Sequence, residues 1–261
     1  MKRMVIAFAV ALAGPLCAQT QEPVPLAHGN VPGEPHHHLR IENEYVRVYY
    51  VEVPAHEDTQ LHQHDHDYIY VSLGPSDIVN AILNKPEIHL QLQDGETHFT
   101  RGGFAHVAHN LADTSFRNVT IELLKPQMNP VNQCEKVALD LPANNCNKPD
   151  DFSKLPPDSP LRSFAGVLER PRGMFATAQM RLTEVSSSGP GSYTEGDSAL
   201  GRLLVVENGF RVEVQIDGEP AKPLEGGGVA WLDGRKKWNV TTPARATTRF
   251  LLIQFKSSPA Q

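Results

Sequence analysis

Short runs of β-branched, aromatic and aliphatic residues recur along this chain, each ended by turn chemistry, and the rhythm occurs twice. Residues 45–53, 59–64, 68–73, 78–83, 87–93, 97–101, 106–110 and 116–124 read as strands. Gly74-Pro75, Asn84-Lys85-Pro86, Asp94-Gly95 and Asp113-Thr114-Ser115 break them. After a proline-rich stretch the pattern resumes at 174–185, 201–206, 211–216, 229–232, 238–241 and 248–255. No long helical period interrupts either set. Strands this short and this closely spaced must close into a barrel or face each other in a sandwich. The fold class expected is therefore all-β, and the repeated rhythm predicts two tandem β-barrels.

The ends and joints of these units follow from composition. Lys2 and Arg3 precede an apolar run over 4–13, broken by Gly14-Pro15 and followed by Leu16-Cys17-Ala18. That layout predicts a secretory signal peptide over 1–18, and hence a periplasmic or secreted protein with no membrane span once it is cleaved. Leu16 argues against a lipid on Cys17. Residues 19–44 read as an irregular lead-in that includes an exposed His36-His37-His38, and 45–125 as the first barrel. The 126–160 segment reads as a linker, and 161–258 as the second barrel. Cys134 and Cys146 lie in that linker. As the two cysteines left after signal cleavage, in an exported chain, they are expected to form a disulfide. A formal net charge of −6 gives no reason to expect a nucleic-acid partner.

All 12 histidines lie between His28 and His109, so histidine chemistry belongs to the first unit. His62 and His64 are two apart on an expected strand and point to the same face. His106 follows the turn Gly102-Gly103 on another strand. Three neutral imidazoles converging from two strands suit one divalent transition metal: Fe, Mn, Ni, Cu or Zn. Tyr68 shares the parity of the pair and is a candidate fourth ligand or proton donor. His66 shares it too, and Asp67 could join through a bulge. His89 and His98 read as structural. Arg47 reads as a surface charge or an anion clamp.

These residues resemble the cupin superfamily. Its first motif runs Gly, H-x-H, Glu, Gly. His62 and His64 match H-x-H and Gly74 approximates the closing Gly, while His56 occupies the first Gly position and Tyr68 or Ile69 the Glu position. In the second motif, P-x-G-x-x-H-x-x-x-N, Gly103, His106 and Asn110 match and Arg101 stands where Pro is usual. The resemblance implies jelly-roll-like barrels with His62, His64 and His106 as metal ligands. A set of three histidines without a carboxylate resembles the ligands of thiol dioxygenases in that superfamily. The second unit offers Asp197, Ala199 and Lys237 where imidazoles belong, so it is expected to be a degenerate, structural cupin.

The function expected is that of an exported metal-dependent cupin acting on a small organic molecule, with oxygenase-type chemistry first. Non-redox isomerase, decarboxylase or lyase chemistry, or non-catalytic binding of a ligand or metal, are the alternatives. Nothing in the sequence excludes an oligomer.

Overall fold

The computed structural model describes residues 29–133, 137, 172–188, 191–195, 200–242 and 247–256. The signal peptide, Cys17, the Cys134–Cys146 pairing and the Asp197 and Ala199 positions all lie outside the described residues. Among the described residues no helix is long and apolar enough to cross a membrane.

The chain folds into four stacked sheets. The first contains β1 (Gly29–Asn30), β4 (His62–His64), β9 (Phe104–Asn110), β6 (Ser76–Ile82) and β7 (Ile88–Leu92), in that order across the sheet. The second is ordered β2 (His37–Glu42), β3 (Val46–Val53), β10 (Phe116–Leu123), β5 (Tyr68–Ser72) and β8 (Thr97–Thr100). The third is ordered β11 (Val131–Asn132), β12 (Arg172–Ala176), β13 (Met180–Ser188), β20 (Thr247–Phe255), β15 (Arg202–Val206) and β18 (Val229–Leu232). The fourth is ordered β14 (Gly191–Glu195), β19 (Trp238–Thr242), β16 (Arg211–Ile216) and β17 (Lys222–Glu225). Each expected barrel is thus a pair of facing sheets in a jelly-roll-like half.

Alternation along the strands decides which way each side chain faces. On β3, Val46 and Val48 face the second half of the chain, while Tyr49, Val51 and Val53 face the first sheet. On β10, Ile121 and Leu123 face outward in the same way, and Phe116 inward. The second sheet is therefore buried on both faces. Its outer face meets Met180, Leu182, Leu203, Leu251 and Ile253 of the third sheet in the largest apolar cluster. Tyr45 stacks on Trp231 across this junction, with ring centres 5.5 Å apart, and Phe99 meets Phe175 at 4.6 Å. A third cluster fills the second half between its own two sheets, around Leu204, Val212, Trp238, Val240 and Phe250.

The structure differs from the sequence reading at several places: β1, β14 and β17 lie outside the expected strands. The lead-in is ordered: residues 37–42 form β2, paired with β3. The expected strand 174–185 is two, β12 and β13, paired antiparallel. Val131–Asn132, within the expected linker, adds an edge strand to the third sheet.

Because the two halves share their main apolar core, they should melt together. Ile121→Ala, which empties a fully buried site at that junction, is expected to cost about 2–5 kcal/mol and to lower a single calorimetric transition. Two transitions, with only one moved, would contradict this account of the junction.

Candidate metal centre

The site forms where the first two sheets face each other. Main-chain pairing places His62 of β4 directly opposite His106 of β9. The turn that fixes this register is tight. Gly103 holds φ +88° and donates its N–H to the His64 carbonyl at 2.7 Å. Gly102 lies so close to the bend at His66 that a Cβ would fall 2.4 Å from the His66 carbonyl carbon. A side chain at Gly102 would therefore push the two histidine strands apart.

Four imidazoles converge. The His62 ring centre is 4.5 Å from that of His106, 5.1 Å from that of His64 and 4.7 Å from that of His37. His64 and His106 are 5.3 Å apart. His37, expected in an exposed lead-in, instead begins β2 and turns its ring onto the pair, and its ligand atom clusters with those of His62 and His64. This corrects the sequence reading. Its physical cause is the pairing of His37 with Val51 of β3, in a strand whose irregularity between Leu39 and Ile41 hides the parity.

Hydrogen bonds behind the rings fix their protons. His62 Nδ1 is 2.7 Å from the Gln60 carbonyl and His106 Nδ1 is 2.6 Å from Asn80 Oδ1. An oxygen of this kind only accepts, so each Nδ1 carries the proton and each Nε2 presents a lone pair. His37 Nδ1 donates to Glu34 Oε2 at 2.5 Å. Glu34 also accepts from the His36 amide and ring, both at 2.9 Å, and from the Gln60 amide at 3.1 Å. His64 Nδ1 lies 3.5 Å from Glu122 Oε1. The sequence reading missed Glu34, Asn80 and Glu122, which stand on separate strands or turns with no spacing to link them.

The electrostatics match neutral rings. Burial first, and then the neighbouring His37, pushes the His62 pKa down to about 4. His64 and His106 are pushed well below the usual histidine range, again mainly by burial and then by the other imidazoles. Burial works to raise Glu34, but its hydrogen bonds from His37, His36 and the Gln60 amide outweigh that and hold it at about 2. Burial raises Glu122. The Nε2 atoms of His62 and His106 are buried and have no hydrogen-bond partner. Two adjacent lone pairs left so are costly, about 1–3 kcal/mol each. A divalent cation is the group that neutral, orphaned imidazole nitrogens fit.

The other candidates take different places. Tyr68 is buried, and its ring stacks on His64 at 4.2 Å and 19°. Burial raises its pKa, so it keeps its proton and acts as a wall and orienting group rather than a phenolate ligand. Asp67 is turned away. Its carboxylate accepts from Arg101 at 2.7 Å and from the Gly102 and Gln127 amides at 3.2 Å. His66 sits half-buried in the bend between β4 and β5 and does not line the cavity. His98 pairs with Glu96 at 2.6 Å and stacks on Tyr70, as a structural histidine would, and His89 pairs with exposed Asp77. In the second half, Lys237 is exposed beside Trp238, which fills the interior.

A cavity of about 50 Å³ adjoins the imidazoles. Val51, Ile78, Leu90, Ala108 and Phe116 give it apolar walls. Thr59, Tyr68, Tyr70, Asn80, Asn118 and Thr120 supply its other polar groups.

No family model matches the sequence, and no curated protein matches it. Solved structures do. AerE from Microcystis aeruginosa superposes with a TM-score of 0.54 at 11% identity, over 86% of this chain and 99% of that one. Salicylate 1,2-dioxygenase from Pseudoaminobacter salicylatoxidans, in its adduct with gentisate, gives 0.51 at 10% identity, over 81% and 68%. A cupin domain from Bordetella pertussis is 28% identical over 33% of this chain and 90% of its own, with a TM-score of 0.32.

The lowered histidine pKa values set a pH dependence for the metal-free protein. Unfolded histidines take up protons near pH 6.5, whereas folded His62 refuses one until about pH 4. Below pH 6.5 the unfolded state therefore binds more protons, and stability falls with pH through that window. Chemical denaturation of metal-free protein should show this loss between pH 6.5 and 4. A His62→Gln, His106→Gln double variant should show a smaller one, and equal losses would contradict neutral rings.

Proposed function

We propose that this chain, whose all-β fold is jelly-roll-like, is an exported metal-dependent bicupin enzyme acting on a small organic molecule by oxygenase-type chemistry. In this reading His62, His64 and His106 hold one divalent transition metal, and His37 is a further candidate, because its ligand atom clusters with those of His62 and His64, a group that does not include His106. The observation that carries it is the pair of buried, partnerless Nε2 atoms of His62 and His106, each with its Nδ1 proton already committed. Such second-sphere partners orient imidazoles for a metal and raise their basicity.

A redox-active ion such as iron would supply the electrons that let dioxygen react with an organic molecule. The chain's own residues do the rest. His62 and His106 stay neutral and fixed in tautomer. Tyr68 and Tyr70 both have their pKa raised by burial, so they offer O–H donors rather than bases to a bound molecule. A dioxygenase among the proteins of like fold supports the direction by analogy of fold alone. The second half serves as a structural partner, its interior filled by Leu204, Trp238 and Phe250. Export to the periplasm or beyond rests on the leader-like residues 1–18.

Protein purified from its export compartment should hold about one transition metal per chain, by elemental analysis. His106→Ala should remove most of it, and Asn80→Ala should weaken metal binding about 10–100-fold. Lys237→Ala should leave it unchanged. Oxygen-electrode screening of the iron-loaded protein then tests the reaction class. A protein that takes up no metal, and whose melting temperature none of Fe, Mn, Ni, Cu or Zn raises, would refute the proposal.

A further inference from the structure

The cavity beside the histidines describes what it can hold. Among the described residues no Lys, Arg, Asp or Glu lines it. Arg47, the nearest thing the sequence offered to an anion clamp, is tied to Glu42 at 2.6 Å and lies 3.9 Å from Glu122, outside the cavity lining. An anionic substrate would give up its hydration here and meet no cationic side chain. Negative charge already stands behind the imidazoles in Glu34, which lies under His37 and is held ionised by its hydrogen bonds. A divalent ion is thus countered from the protein side, and a neutral molecule can complete the site.

Size narrows the class further. An apolar cavity of about 150 Å³ takes up a benzene ring, and this one has about 50 Å³. Val51, Ile78, Leu90, Ala108 and Phe116 supply its aliphatic and aromatic lining. Asn118 and Thr120, hydrogen-bonded to each other at 2.7 Å, give the side wall its neutral polar groups.

We propose that the substrate is an uncharged organic molecule smaller than a six-membered aromatic ring. It turns an oxygen- or sulfur-bearing end to the histidines and packs its aliphatic remainder on Val51, Ile78, Leu90, Ala108 and Phe116. The inference rests on reading the histidines as metal ligands, and it separates this site from one built for an aromatic carboxylate.

Cobalt(II)-loaded protein provides the test, read by visible absorption during titration with three probes. Hydroxyacetone is neutral and small, glycolate matches it in size but is an anion, and 2-hydroxyacetophenone carries a ring in place of the methyl group. Hydroxyacetone should perturb the spectrum and bind at least about tenfold more tightly than glycolate, and 2-hydroxyacetophenone should not bind. Leu90→Ala, or Phe116→Ala if it folds, should admit 2-hydroxyacetophenone. Glycolate binding as tightly as hydroxyacetone, the ring compound binding to the unaltered protein, or none of the probes perturbing the loaded protein would overturn the substrate class and leave the metal reading standing. Failure to take up cobalt would remove the metal reading and this inference together.

Discussion

The sheet formed by β2, β3, β10, β5 and β8 is buried on both faces, and the remainder of the molecule is arranged around that fact. Its outer face carries Val46, Val48, Ile69, Val71, Ile121 and Leu123 into the shared core with the second half. Its inner face carries Tyr49, Tyr68, Asn118, Thr120 and Glu122, buried against the histidine-bearing sheet. A strand alternates its side chains strictly, so the same backbone that locks the two halves together presents the back wall of the site. A one-residue slip would turn the apolar set toward the histidines and drive the polar one into the shared core. The second half, which contributes no histidine, holds the first half's site in register.

Within that frame the site rests on tautomer control. A buried imidazole with a proton on Nδ1 has one lone pair to offer, on Nε2. The Gln60 carbonyl and Asn80 Oδ1 set this for His62 and His106, and the Glu34 carboxylate orients the His37 ring through its Nδ1. Glu34 also binds the Gln60 amide, so one carboxylate braces both the His37 ring and the segment whose carbonyl orients His62. The partnerless nitrogens that result are unfavourable in a protein interior and favourable as ligands, which is a common mark of a site shaped by function rather than by packing.

Much of this was legible in the sequence, for reasons that can be named. The strand rhythm is a matter of turn chemistry and short apolar runs, and the strands of the first half fall close to their expected places. His62 and His64 were readable as a pair because a period of two survives translation into structure, and His106 because a glycine turn precedes it. His37 was not readable. It sits in a polar strand whose irregularity after Leu39 breaks the alternation, and its orientation comes from Glu34 and from pairing with β3. Asp67 misled for the opposite reason: its position suits a ligand, but Arg101 and the Gly102 and Gln127 amides claim its carboxylate. Spacing along a chain does not reveal which partner a carboxylate finds.

The central claim is that imidazoles from three separate strands, β2, β4 and β9, meet at one metal. X-ray absorption spectroscopy of zinc-loaded protein tests it most directly, since zinc has no preferred geometry of its own. The account predicts a shell of imidazole nitrogens at about 2.0–2.1 Å, with the imidazole count reduced by one in His37→Ala and by one in His106→Ala. A shell of carboxylate oxygens, or an imidazole count unchanged by either substitution, would contradict it.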